Sequence, residues 1–386
     1  MVFTEPSKKI QEFVNKNISL HEFHLSVKSK RVLKKIYNQS TKAYLSKPNY
    51  SIVSEKTDDT DFPKSSSYNY IEDSIKTHIN SIKKRIIETK LIVGSRTYTI
   101  FFIIPIGTAY SIEKYIKKIN TWLQVATIYA KPTCSTVVTV YLYLTDLKKV
   151  LPKKDGITLN PENANTAFTS SCQPETEIIL YRMEEWFKVF IHESFHNLGL
   201  DFISTTNDEV KKLLFSIFPI QSEFKLYETY TEMWAEIMNI IFINAENTNK
   251  TFEQVLHNVE KHIQTERKFS LFQSAKILDH YGLKYSDLFI IQNTQIGYKE
   301  DTEIFCYFIL KTLLLYNCND FIEWLESHQK PVPNKIDKFI KDLIIPRYNE
   351  IKFIETIGKV QSLFDKLPDN KTFIETTLRM TALELQ

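Results

Sequence analysis

"VFIHESFHNLGLDF", Val189–Phe202, decides how the rest of this chain is read. If the stretch is helical, His192 and His196 lie four residues apart on one face, one turn from each other, where two imidazoles chelate a single ion. Glu193 lies beside them and is placed to take a proton from a metal-activated water. A zinc ion with three protein ligands keeps its fourth position for that water and brings its pKa to about 7. The bland alternative is two histidines on an ordinary amphipathic helix. It is opposed by Phe190, Ile191, Phe195 and Leu198, which bury the rest of the helix, and by the strand-rich unit before it. Glu184 and Glu185 give the helix an acidic start that suits its dipole, and Gly199 supplies its C-terminal stop.

The third ligand is the open question. The run H-E-x-x-H-x-x-G-x-x-H, the metzincin pattern, is met through Gly199, but its last histidine is replaced by Phe202, which has no donor atom. Asp201 is a carboxylate one residue early and reads as a residue that steadies the turn. Downstream, "LYETYTEMWAEIMN" (Leu226–Asn239) carries Glu228, Glu232 and Glu236 at i, i+4 and i+8. They share one helical face, and Met233, Trp234, Ile237 and Ile240 fill the others. A solvated acidic face is the usual meaning of such spacing. Here, however, "TEMWAE" resembles the second motif of the gluzincin metallopeptidases, the group that includes thermolysin and anthrax lethal factor.

That resemblance implies a zincin-like fold and a zinc-dependent peptidase. It implies Glu232 as third metal ligand, with His192 and His196, and Glu236 as the acid that orients a ligating histidine. Glu228 is left facing solvent or supporting the site from one turn earlier. The resemblance also implies a tyrosine or histidine that stabilises the oxyanion. The candidates are Tyr227, Tyr230, His257, His262 and His280. Tyr227 and Tyr230 are preferred because they lie on the ligand helix or just before it. "NTAFT" (Asn165–Thr169) stands where zincins place the edge strand that pairs with an extended peptide, so Asn165, Ala167 and Phe168 are expected at the substrate edge. The resemblance covers two short motifs and the element order before them. It does not reach the first ninety residues or the last eighty.

Around the motifs the hydrophobic pattern predicts an α+β chain. Residues 7–45 read as helical, Ser46–Tyr70 as a polar loop with Pro48 and Pro63, and Tyr70–Lys90 as a helix striped by Ile71, Ile75, Ile79, Ile82 and Ile86. Thr97–Ile104 and Thr136–Leu144 read as buried strands, with a helix capped by Ser111 between them. Ala164–Ser171 reads as a short exposed strand and Glu177–Tyr181 as another strand. From about Phe202 onward the pattern is almost wholly helical. We expect a helical region over 1–92, a zincin-like unit over 93–300 (mixed sheet, H-E-x-x-H helix, second glutamate-bearing helix) and a helical region over 301–386.

Composition narrows the function classes. The 386 residues are 43% hydrophobic and 25% charged, enough for a large core. Only 7 glycines are present, and no G-x-G-x-x-G or G-x-x-x-x-G-K loop occurs. A net charge of +3 gives no ground for nucleic acid, and the basic run Lys28–Lys35 reads as a solvated helix face. The four cysteines, Cys134, Cys172, Cys306 and Cys318, form no C-x-x-C pair, and free thiols in a reducing compartment are expected. Cys134 or Cys172 capping the open zinc position as a latency switch is the rarer alternative. No signal-peptide core is seen, and the apolar run Ile304–Tyr316 is too short to span a bilayer. A cytoplasmic setting and a peptide or protein substrate are therefore expected. The abundance of Lys, Ile and Asn matches AT-rich genomes, such as those of many large DNA viruses. The rival expectation is a structural or virion scaffold protein on a zincin fold, with little or no peptidase activity.

Overall fold

The computed structural model describes residues 2–58, 61–203, 208–246, 249–290, 297–327, 336–367 and 372–386. Two helices open the chain, α1 (Glu5–Asn17) and α2 (Val27–Leu45). Next come the strand β1 (Asn49–Asp58), the helix α3 (Asp73–Ser81), and the strands β2 (Lys84–Val93) and β3 (Arg96–Pro105). They are followed by α4 (Ile112–Ala126), β4 (Val137–Tyr143), the single turn α5 (Pro161–Ala164), β5 (Ala167–Thr169) and β6 (Glu175–Leu180). The rest is helical: α6 (Trp186–Asn197), α7 (Asp208–Ile217), α8 (Leu226–Ala245) and α9 (Phe252–His280), then a π-helical segment, Phe305–Leu310, which runs into Lys311–Tyr316, and shorter helices beyond. The class is α+β, as expected.

The six strands form one mixed sheet in the order β1-β2-β3-β4-β6-β5. β3, β4 and β6 are parallel, and the outer strands run antiparallel to their neighbours. Side chains alternate between faces along a strand, and here both faces are covered. Tyr98, Ile100 and Phe102 of β3, Val138, Val140 and Leu142 of β4, and Ile178 and Leu180 of β6 point into the main core under the helices. Ile103, Tyr141, Tyr143 and Ile179 point the other way, onto Phe62, Tyr68 and α3. Burial on both faces explains why these strands read as continuous apolar runs. Register then fixes the edge strand. Ala167 pairs with Leu180 and lies on the helix-covered face, whereas Phe168 pairs with Ile179 and packs into the opposite cluster.

Against the sheet lie α4 and α6, with α8 behind them. α8 is apolar on nearly every side, and all its residues from Thr229 to Ala245 are buried. Its glutamates are therefore not a solvent face. Lys28–Lys35 does lie on the exterior of α2, with Lys28, Lys30 and Lys34 paired to Glu323, Glu260 and Glu253. Ile304–Tyr316 is a buried segment, and its one charge, Lys311, is sunk among carboxylates. No helix among the described residues is long and apolar enough to cross a membrane.

Three expectations need correction. Ser46–Tyr70 is not all loop, because its first half is β1, a sheet edge exposed on both faces. Tyr70–Lys90 is not one helix. Ile75 and Ile79 belong to α3, and Ile86 belongs to β2 and packs on the same cluster from the sheet side. The boundary expected at 92/93 thus falls at the β2–β3 hairpin, and one core cluster runs from Ile10 to Leu383. Cys134 and Cys172 are not free thiols but a disulfide. Only Cys306 and Cys318 remain unpaired, both buried.

The disulfide packs on the turn that ends α6. Gly199 has φ +63°, and a Cβ there would stand 3.1 Å from Cys134 Sγ and 3.3 Å from Cys172 Cβ. Left-handed backbone costs a residue with a Cβ roughly 1–2 kcal/mol, and the close sulfur adds to it. Gly199→Ala is expected to lower the stability against urea by about that amount or more. An unchanged unfolding midpoint would show that the turn relaxes at no cost.

Candidate metal centre

Both histidines of the H-E-x-x-H run sit in the middle of α6, which is buried on almost all sides. His192 is 6% exposed, Glu193 7% and His196 7%. Their Nε2 atoms lie 3.2 Å apart. The first turn of α8 brings Glu228 to the same point, its Oε2 standing 3.0 Å from His192 Nε2 and 3.5 Å from His196 Nε2. Among the described residues, His192, His196 and Glu228 form the one group of three potential metal donors, with ligand atoms all within 4.8 Å of one another.

The carboxylate that meets both Nε2 atoms is thus Glu228, not Glu232. Glu232 lies one turn deeper on α8, where its Oε2 accepts from His192 Nδ1 at 3.0 Å. Its other oxygen takes the ammonium of Lys188, with Lys311 3.7 Å away. Glu236 lies a further turn in. It touches neither histidine and is 3.4 Å from Lys311. Glu228 and Glu232 thus hold, one helical turn earlier, the i, i+4 positions that the sequence reading gave to Glu232 and Glu236. Asp201 fills the matching role for the second imidazole, since its Oδ2 accepts from His196 Nδ1. Phe202 turns away into an aromatic cluster with Tyr230 and Phe339.

These contacts have an electrostatic consequence. Burial alone would push the Glu228 carboxyl up, but the imidazoles outweigh it and hold it well below the usual carboxylate range. Burial likewise opposes ionisation of Glu232, yet Lys188, His192 and Lys311 hold it low. Burial opposes charge on the two imidazoles, but Glu228 and the carboxylates at their Nδ1 atoms raise both, His196 well above its ordinary value. Glu193 differs from the other acids: burial dominates and pushes its carboxyl up to about 7, against the pull of the two histidines.

The tyrosine expectations divide. Tyr230 is 0% exposed and belongs to the aromatic core with Phe202, Trp234 and Phe321, so it does not face the site. Tyr227 does reach it, its ring edge-on to His196 at 5.8 Å. The hydroxyl that enters the cluster belongs to Tyr307, which sequence reasoning missed. It donates to Glu228 Oε2 at 3.0 Å. Tyr307 is carried on the π-helical segment Phe305–Leu310, a geometry often found at functional sites. No local pattern distinguishes it from the other tyrosines of the chain. Of the histidine candidates, His262 is bonded to Asn244 on α8, His280 meets the Ile157 carbonyl, and His257 is exposed on α9. None enters the cluster.

β5 forms the outer edge of the sheet beside α6, and α6 contributes to holding it. Asn197 Nδ2 donates to Thr169 Oγ1 at 3.3 Å and to the Ser170 carbonyl at 3.4 Å. Asn165 and Ala167 line a cleft together with Val189, His192, Glu193 and Tyr307. Phe168 faces the other side of the sheet, so of the three expected residues it alone is turned from the cleft.

No family model matches this chain, and no solved structure does. One curated protein is similar: an uncharacterized protein of Acanthamoeba polyphaga mimivirus, 28% identical over 172 residues, which is 42% of this chain and 42% of that protein. The chain therefore spans less than half the length of that relative.

Proposed function

We propose that this protein is a zinc-dependent peptidase with His192, His196 and Glu228 as metal ligands. The observation that carries the reading is the pair of carboxylates on the imidazoles. Glu232 on His192 Nδ1 and Asp201 on His196 Nδ1 aim both Nε2 atoms at one point beside Glu228. Carboxylates on the far nitrogens of ligating histidines fix the tautomer and raise ligand basicity. Two imidazoles and one carboxylate, with room left for a water, are a donor set that suits catalytic zinc.

Zinc held there would supply Lewis acidity, polarising the scissile carbonyl and acidifying a water. The chain's own residues do the rest. Glu193 accepts the proton of the attacking water and delivers it to the leaving amine. The Tyr307 hydroxyl, which donates to Glu228 in the free protein, would turn from that carboxylate to the carbonyl oxygen as negative charge develops on it. The free edge of β5 pairs with the substrate main chain and holds it extended across the site. A structural site would have no use for Glu193 and would close its fourth position with protein.

The test is zinc content together with hydrolysis of a broad peptide library. The wild type is expected to carry one zinc per chain and His196→Ala to lose it. Equal zinc in the two would sink the metal assignment. A zinc-loaded wild type that cleaves nothing would favour the scaffold alternative. Asp201→Asn keeps the shape of the group on His196 Nδ1 but not its charge, and is expected to weaken zinc binding by roughly 10–100-fold. Competition with a chelator would measure it, and an unaltered affinity would remove Asp201 from the site.

A further inference from the structure

The cleft between β5 and α6 is narrow, about 40 Å³, room for a small polar group or one or two waters and not for a bulky side chain. Its walls next to Glu193 are apolar, Ala167 and Val189. Its floor is not. Lys149, Lys188 and Thr166 also line it, and they are 1%, 2% and 4% exposed. The Thr166 hydroxyl has no hydrogen-bond partner among the described residues. Among the described residues the Lys149 ammonium meets only Glu185, and the Lys188 ammonium only Glu232. Each ammonium has three N–H donors, so both keep spare donors where burial makes an unmade hydrogen bond costly. Burial opposes charge on Lys149, and the Lys188 ammonium opposes it further. Of the carboxylates on the same cleft, Glu232 is already shared between Lys188 and His192, and Glu193 belongs to the chemistry.

We propose that this floor binds a carboxylate of the substrate, on a residue flanking the scissile bond. The inference rests on the peptidase reading for its placement, and it names the substrate class. A carboxylate has two oxygens able to accept from several donors at once, enough for the Thr166 hydroxyl and both ammonium groups. Its charge offsets their repulsion, which an amide or an apolar side chain cannot do. The carboxylate has two possible sources, an Asp or Glu side chain and the free C-terminus of a peptide.

Binding separates this inference from turnover. The zinc-loaded Glu193→Gln protein is titrated with fluorescein-labelled octapeptides carrying a central Glu, Gln or Leu, each with a free or an amidated C-terminus. Peptides with a carboxylate are expected to bind at least roughly tenfold more tightly than their neutral counterparts, the scale of one or two charge-assisted hydrogen bonds. A preference that follows the central Glu identifies the side chain as the source, and one that follows the free terminus identifies the α-carboxylate. Lys149→Met is expected to abolish the preference without loss of zinc. Thr166→Val, which removes an unpartnered hydroxyl and therefore spares the fold, is expected to reduce it. Equal binding of all peptides, or a preference unchanged in both variants, overturns the proposal. With the wild type, cleavage that ignores carboxylates removes the inference and leaves the peptidase reading intact. Carboxylate-dependent binding without any cleavage does the reverse.

Discussion

Glu228→Gln is expected to reduce zinc affinity by well over 100-fold, while Glu232→Gln, one turn away on the same helix, reduces it by roughly 10–100-fold. The two substitutions are chemically identical, so the difference isolates position. Glu228 Oε2 meets both Nε2 atoms, and the amide in its place is a neutral and much weaker ligand. Glu232 meets only Nδ1 of His192. Its loss leaves the lone pairs of both rings in place but frees one ring to turn and to change tautomer. Glu232→Gln carries a second cost, because Lys188 and Lys311 lose their shared counter-charge in a buried setting. Its effect on folding is therefore expected to exceed its effect on metal, and chelator competition has to be paired with urea unfolding to separate them. Glu236→Gln is expected to leave zinc affinity unchanged, since Glu236 meets Lys311 and no histidine. If Glu232→Gln strips the metal and Glu228→Gln retains it, the ligand order read from the geometry is inverted.

That order marks the limit of what the sequence discloses about the site. Helical spacing places Glu228, Glu232 and Glu236 on one face, but the level at which α8 crosses α6 is set by packing of the whole helix. One turn of offset moves the ligand role from one glutamate to the next without altering any local pattern. The same holds for Asp201: it sits five residues after His196, and only the left-handed turn at Gly199 brings it back under the imidazole. Tyr307 reaches the site by tertiary packing and leaves no mark in spacing, whereas Lys188, one turn before His192 on α6, follows from helical spacing. β3, β4 and β6, by contrast, were legible because burial on both faces makes their sequences continuously apolar. β1 was not, since a strand exposed on both faces has the composition of a loop. The isoleucine stripe after Tyr70 misled for a related reason. Ile79 on α3 and Ile86 on β2 pack on one cluster from two kinds of element, and a spacing that suits a helix arose across a boundary. The Cys134–Cys172 pair closes a separation of 38 residues, and no sequence rule pairs cysteines at that distance.

Glu193→Gln is expected to keep zinc and stability and to lose roughly 10²–10⁴-fold in peptide hydrolysis, the usual contribution of a positioned general base. The substitution preserves shape, and among the described residues Glu193 makes no ion pair whose loss would unfold the site. Burial has raised its carboxyl to about 7, so replacing it with a neutral amide removes little favourable electrostatics from the fold. The proposed metal ligands, their Nδ1 carboxylates and the edge strand at Ala167 stay as they are. What disappears is the acceptor for the proton of the attacking water and the donor for the leaving amine, so the loss should fall on kcat with little change in KM. A residue that served only to pack α6 would give the opposite result, a lower unfolding midpoint with activity retained in the folded fraction. Single-turnover hydrolysis of one library peptide by the zinc-matched pair of proteins distinguishes the two. Equal rates would remove Glu193 from the chemistry and, with it, the main reason to read this buried cluster as catalytic.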